Sequence, residues 1–220
     1  MKAGILLLAA LATAAYAAEP NRLTEAEKQQ GWRLLFDGAT ATGWVEVTGK
    51  PFPTNCWTVE GGSLKALVRT DGFQDIRTVE SFRFFELEFE WKILRAGNSG
   101  LKYLIEKVDE WTNAAGRQAR ARGLEYQLAD DENPDAASDP RRAAGSLYSV
   151  IAPVPKIKPK TGEFNQSRLV VREKRVEHWL NGVKVVEFDA PRVQTSPISL
   201  QNHTSEVWFR SIKVRELPAK

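Results

Sequence analysis

The sequence predicts an all-β protein, a two-sheet antiparallel β-sandwich of jelly-roll type, and three observations carry that prediction. Residues 85–91 alternate without a fault: Phe85, Leu87, Phe89 and Trp91 share one face, and Glu86, Glu88 and Glu90 share the other. That is the period-two pattern of a strand with one buried side. Gly61-Gly62 and Asn181-Gly182 each separate two short apolar runs, as tight hairpin turns do. Beyond the amino-terminal leader no run of ten residues carries a helical apolar stripe, and two packed sheets are the economical way to bury so many half-apolar strands.

Taken in order, residues 1–17 read as a secretory signal peptide. Lys2 supplies the positive start, residues 4–15 the apolar stretch, and Ala15-Tyr16-Ala17 a small-x-small cleavage site. The apolar stretch is too short for a retained span, so the mature chain is expected to be exported, periplasmic or extracellular in a bacterium, with no stable membrane insertion. Residues 18–31 form a polar segment with one short helix, in which Thr24 and Glu27 have capping-box spacing and Gly31 closes the carboxyl end. The domain proper is residues 32–220. Besides 85–91, strands are expected at 57–59, 64–68, 100–106, 123–129, 146–151, 168–172, 176–180 and 183–188, and two more within 198–214.

Three longer connections, 107–122, 130–144 and 152–163, interrupt those strands. The acids of the second (Asp130, Asp131, Glu132, Asp135, Asp139) lack the spacing of a calcium loop and read as a solvated surface. The net charge is +3 over 220 residues, and about +2 once Lys2 is gone. That balance, evenly scattered, does not suggest a nucleic-acid partner. Cys56 is the one cysteine, so no intramolecular disulfide forms and the thiol reads as a small buried apolar group.

With two histidines in the chain, the places for chemistry are few. On 98–105 the apolar face is Leu101, Tyr103 and Ile105, which leaves Asn98, Gly100 and Lys102 on the other side. On 123–129, Leu124, Tyr126 and Leu128 oppose Glu125 and Gln127. On 198–203, Ile198, Leu200 and Asn202 oppose Ser199, Gln201 and His203. If those strands lie in one sheet, their polar side chains pave one surface. A plain wet face is the simpler reading, but solvated strands favour Thr, Lys, Glu and Arg, and a set rich in Asn, Gln and His suits hydroxyl groups that need both donors and acceptors. Glu86, Glu88 and Glu90 read as a solvated face, with paired glycosidase carboxylates as the alternative. His178, next to Trp179 and just before a hairpin turn, reads as structural.

The ordered motifs point to a family. Leu34-Leu35-Phe36-Asp37-Gly38 with Gly43-Trp44, Trp57-Thr58-Val59-Glu60-Gly61-Gly62, Phe85-Glu86-Leu87 and Asn98-Ser99-Gly100-Leu101-Lys102-Tyr103 come first. They are followed by Gly123-Leu124-Glu125-Tyr126-Gln127, Gly145-Ser146-Leu147-Tyr148, Gly162-Glu163-Phe164-Asn165, His178-Trp179-Leu180-Asn181-Gly182, Leu200-Gln201-Asn202-His203 and Phe209-Arg210-Ser211-Ile212. Together they resemble the secreted 3-keto-disaccharide hydrolase domain family, over nearly the whole mature chain. Phe84 and Ser211 depart from it, standing where the family usually has an acid and an Asn.

The resemblance implies a concanavalin A-like sandwich and a small-molecule saccharide substrate already oxidised to a ketone at carbon 3. The ketone acidifies the carbon 2 proton, so the aglycone can leave by elimination and water can then add. That route needs a base near carbon 2 and a positive or hydrogen-bonding group near the ketone oxygen. His203 or Glu125 is the expected base. Lys102, Arg210 or a bound divalent metal would stabilise the enolate, and Asn98, Gln127, Gln201 and Tyr148 would hold hydroxyls. Glu125 and His203 are alternatively both metal ligands. Two other classes stay open: a non-catalytic carbohydrate-binding module, and a conventional glycosidase working through Glu86, Glu88 and Glu90.

Overall fold

The computed structural model describes residues 19–68, 72–190, 192–203 and 205–219; the proposed signal peptide lies outside them. A short helix, α1 (Glu25–Gln29), carries the expected capping box on Thr24 and Glu27. The early strands are β1 (Arg33–Leu34), β2 (Trp44–Glu46), β3 (Trp57–Glu60), β4 (Ser63–Ala66), β5 (Gly72–Gln74) and β6 (Ile76–Thr78). Then come β7 (Phe85–Ile93), β8 (Asn98–Asn113), β9 (Gly116–Ala129) and a one-turn helix, α2 (Pro134–Ser138). The last five are β10 (Asn165–Val171), β11 (Arg175–Leu180), β12 (Val183–Asp189), β13 (Ser199–Leu200) and β14 (Val207–Glu216).

Two sheets form, as the alternation predicts. One runs β12-β11-β10-β7-β14-β4-β3 with β1 alongside β14, and the other β2-β6-β13-β8-β9-β5. All pairs are antiparallel except β5 with β9, which is parallel. Their facing sides bury Trp57, Leu87, Phe89, Trp91, Leu101, Tyr103, Tyr126, Leu128 and Phe209, each at most 1% exposed. Phe89 meets Tyr126 edge to face at 5.8 Å. Burying one such side chain stabilises the fold by roughly 1.5–3 kcal/mol.

The core also holds a satisfied polar string. Trp91 Nε1 donates to Ser167 Oγ (2.9 Å), Ser167 Oγ to the Tyr126 hydroxyl (2.9 Å), and that hydroxyl to the Trp179 carbonyl (2.9 Å). His178 is structural, as read. Its Nδ1 lies 3.0 Å from the Gly145 carbonyl and so carries the proton, and its Nε2, 2.8 Å from the Tyr103 hydroxyl, accepts. Burial pulls its pKa down to about 4, which keeps the ring neutral. Cys56 is buried, its Sγ 3.5 Å from the Gly72 carbonyl.

Three expectations are corrected. Residues 107–122 are not a loop: they continue β8 and β9 into one long hairpin whose turn is closed by Asn113 Oδ1 accepting from Ala115 N–H at 2.9 Å. The pairing is built from charges rather than apolar side chains, Arg122 with Asp109 (2.7 Å) and Arg117 with Glu110. That composition, rich in Ala and Arg, carries little strand signal. Residues 146–151 are not a strand, because Ser149 takes a positive φ of 59° and the chain folds back to pair Leu147 with Ile151. The face of Glu86, Glu88 and Glu90 is not simply wet: Glu86 is 2% exposed and held by Arg168 and Arg215, Glu88 by Lys213 (2.8 Å) and Glu90 by Arg210 (2.6 Å).

One irregularity shapes the site. Tyr103 pairs with Leu124 and Lys107 with Arg122, so residues 104–106 of β8 cover a distance that Gly123 alone covers on β9. Leu104 takes a φ of 48° and turns inward, to 5% exposure. A Cβ on Gly123 would lie 2.6 Å from the Tyr103 carbonyl oxygen, so only glycine allows this crossing.

Candidate active site

The outer face of the smaller sheet carries a cavity of about 500 Å³. Its floor is the rung where Lys102 of β8 stands directly opposite Glu125 of β9, with Ser199 of β13 opposite Lys102 on the other side. Gly100 sits beneath the carboxylate: a Cβ there would lie 2.4 Å from Glu125 Oε1. Asn98, Tyr148, Gln201 and His203 line the same cavity, so six of the residues expected from sequence converge.

The last two arrive differently from the expectation. β13 is only two residues long, and Gln201–His203 leave the sheet because Asn202 is drawn inward. Its Nδ2 donates to the Cys56 carbonyl at 2.8 Å and its N–H to Asp75 Oδ1 at 3.2 Å. Gln201 N–H in turn donates to the Gly100 carbonyl at 2.9 Å. Gln201 and His203 still face the cavity, fastened to β8 rather than carried on a strand.

Asp75, between β5 and β6, was not legible from sequence and anchors the whole arrangement. It is fully buried and accepts from Lys102 Nζ (3.1 Å), Arg120 Nη1 (2.8 Å) and the N–H groups of Ala121 (3.2 Å) and Asn202 (3.2 Å). Arg120 also donates to the Asn202 carbonyl. Two cations therefore meet one fixed anion, and the excess positive charge faces Glu125. Burial still outweighs those cations: the Glu125 carboxyl is pushed up to about 7, with Lys102 and Arg120 opposing the rise. The His203 imidazole is pushed below its usual range, first by burial and then by Arg120 and Lys102, so it is neutral at pH 7.

Two expected site residues are not at the cavity surface. Gln127 is fully buried behind it, its amide 3.1 Å from that of Asn98. With the amide oriented to satisfy both its ends, it donates to Glu125 Oε1 at 3.0 Å and to the Ser99 carbonyl at 3.1 Å, and so positions the carboxylate from below. Arg210 belongs to the larger sheet, where β14 lies beside β7. It is bound to Glu90 and its guanidinium covers Phe164 at 3.6 Å. Alternation tells which face a residue occupies but not which sheet carries it. Among the described residues no group of three or more His, Cys, Asp and Glu side chains is gathered to hold a metal, so Glu125 and His203 share the cavity without a third such ligand.

A glycosidase of the usual kind needs two carboxylates flanking the bond. Among the described residues lining this cavity, Glu125 is the one carboxylate. The Glu86, Glu88 and Glu90 ladder lies on the other sheet and is fully paired with Arg and Lys, which removes it as a catalytic pair.

Known proteins resemble this chain over its whole domain. A 3-keto-disaccharide hydrolase of Bacteroides thetaiotaomicron is 30% identical, the match covering 91% of this chain and 83% of the relative. The crystal structure of a candidate glycosyl hydrolase from Parabacteroides distasonis superposes with a TM-score of 0.77 at 29% identity, covering 91% of this chain and all of the other. A carbohydrate-binding module of Bacillus subtilis shares the fold alone, with a TM-score of 0.51 at 14% identity over 80% of this chain and 96% of the module. The model of one carbohydrate-active family, described as the 3-keto-alpha-glucoside-1,2-lyase-like domain, matches residues 31–215. This chain belongs to that family.

Proposed function

We propose that the protein cleaves glycosides whose sugar carries a ketone at carbon 3, by elimination of the aglycone followed by addition of water. The observation that carries this reading is the Lys102–Glu125 rung: a single carboxyl with a pKa of about 7 stands across from an ammonium that a buried aspartate holds in place. Glu125, half ionised at neutral pH, is suited to take the carbon 2 proton. The C–H electrons move into a carbon 2–carbon 3 double bond as the ketone becomes an enolate, whose oxygen Lys102 and Arg120 stabilise. Collapse of the enolate restores the ketone, forms a carbon 1–carbon 2 double bond and expels the aglycone oxygen, which takes a proton from a water by way of neutral His203. The hydroxide left by that water adds to carbon 1 while Glu125, whose acid proton has exchanged with solvent through the open cavity, protonates carbon 2, so the net change is hydrolysis and the carboxylate is regenerated.

Asn98, Gln201 and the Tyr148 hydroxyl are placed to hold sugar hydroxyls. Neutral His203 serves as a hydrogen-bonding partner or a relay for the leaving oxygen, rather than as a cation. Residues 1–17 support export, so the substrate is expected to be met outside the cytoplasm; removal of this segment from the mature protein is checked by its amino-terminal sequence. The reaction is tested by incubating the protein with a 3-keto-glucoside and its parent glucoside in deuterated water. Release of sugar only from the keto substrate, with deuterium at carbon 2, is the expected result. Cleavage of the parent glucoside, or a product carrying only hydrogen at carbon 2, overturns the mechanism.

A further inference from the structure

One wall of the cavity differs in character from its floor. Trp111 and Val150 are exposed (39% and 62%), and together with half-buried Leu124 and Tyr148 and the edge of Leu147 they form an apolar side. Such side chains gathered at the mouth of a cavity with a polar floor mark a place where something apolar is received. The wall adjoins the reacting centre, because Tyr148 N–H donates to the Glu125 carbonyl at 3.0 Å. It is assembled from two separate pieces, the long β8–β9 hairpin and the turn that follows α2.

We infer that this wall is the aglycone subsite and that it selects a planar, apolar aglycone of the aryl class rather than a second sugar. The inference rests on the proposed reaction and names the leaving half of its substrate. A sugar in the leaving position would bring hydroxyls needing donors and acceptors on all sides, and each one buried without a partner costs about 1–3 kcal/mol. The wall has little to offer them. The Arg122 guanidinium is already bound to Asp109 at 2.7 Å and lies 5.8 Å above the Trp111 ring. Leu124, Leu147 and Val150 have no polar atoms in their side chains, which leaves the Tyr148 hydroxyl and the Trp111 indole N–H, fewer groups than the hydroxyls of a second sugar need. An aromatic ring, by contrast, is matched by the Trp111 ring and by the aliphatic side chains of Leu124, Leu147 and Val150. A cavity of about 500 Å³ accommodates one sugar and one such ring.

The test compares 3-keto-glucosides bearing benzyl, methyl and glucosyl aglycones, all of which leave as alkoxides, so differences report binding rather than leaving-group strength. The wild-type protein should favour the benzyl compound over the methyl one by about tenfold in kcat/KM, carried mainly by KM. Trp111→Ala should erase that preference, bringing the benzyl compound down to the level of the methyl one, and Trp111→Phe should keep most of it. An unchanged benzyl preference in Trp111→Ala, or none in the wild type, overturns the subsite. If no keto substrate is cleaved at all, the proposed reaction fails separately. Calorimetric titration with unoxidised benzyl and methyl glucosides then decides the subsite: tighter benzyl binding that is lost in Trp111→Ala upholds it, and equal or undetectable binding of the two rejects it.

Discussion

The two sheets present outer faces of similar composition that have opposite fates. On the larger sheet, β7 offers three glutamates, and every one meets a cation from a neighbouring strand: Arg168 and Arg215 at Glu86, Lys213 at Glu88, Arg210 at Glu90. Aromatic rings complete that face, with Arg215 over Trp32 and Lys92 over Trp208. On the smaller sheet the cations Lys102 and Arg120 are drawn inward to Asp75, and Glu125 is left facing them across open space. The difference lies in the third residue. A carboxylate with its own partner is settled, and one whose neighbouring cations answer to a deeper anion keeps its affinity for a proton.

The sharpest way to break this contrast is to neutralise one acid from each face. Glu125→Gln is expected to lower kcat/KM on a 3-keto-glucoside by about 10³-fold, while Glu88→Gln stays within twofold. In the wild type the rate should climb about tenfold per pH unit below pH 7 and level off above it, since Glu125 must be ionised and its carboxyl titrates near 7. A Glu125→Gln variant keeping a tenth of the activity would end the distinction. Next in size is Asp75→Ala, which leaves Lys102 and Arg120 buried without their anion and should cost about 4 kcal/mol in urea unfolding.

Gly100→Ala sharpens the comparison further. The new methyl collides with the Glu125 carboxylate rather than with backbone, so activity should fall about 10²-fold with the unfolding midpoint nearly unchanged. Stability tells the same story from the other side. Folding raises the Glu125 pKa from 4.5 to about 7, so the native state holds its proton more tightly than the unfolded chain does. The resulting stability is present below pH 4.5 and lost as pH rises through 7. Glu125→Gln should therefore be more stable than wild type at pH 8, by on the order of 3 kcal/mol, with the gain vanishing near pH 4. Smallest is Glu86→Gln, expected to lose about 1.5 kcal/mol of stability and no activity, because its two arginines are partly exposed and regain water.

Much of this was legible in the sequence, for identifiable reasons. Alternation around Phe85–Ile93 and the Asn181-Gly182 turn fixed local structure because strand period and turn chemistry act over a few residues. Asn98, Lys102 and Glu125 were assigned to one surface because their strands are regular just there. Arg210 falls on the other sheet, which its neighbours in sequence do not reveal, because sheet membership depends on which strands pair across the whole chain. Asp75 was missed because a lone acid flanked by Gln74 and Ile76 has no local pattern; its meaning comes from Lys102, Arg120 and Asn202, between 27 and 127 residues away. The hairpin beyond Lys107 carries no strand signature because cross-strand ion pairs hold it in place of apolar alternation.

The bulge opposite Gly123 separates two stretches of the same pair of strands. On one side of it lies the rung of Lys102 and Glu125, tied to the sandwich by Asp75, Gln127 and the chain from Ser199 to Asn202. On the other side the hairpin runs on to its turn, exposed along much of β8 and fastened by surface charges. Residue pairs can be added or removed near that turn without disturbing the floor, since the irregular crossing already interrupts the pairing between them. Lineages descended from one such ancestor could thus exchange what they accept as a leaving group by altering a single protruding ribbon, and inherit the chemistry unaltered.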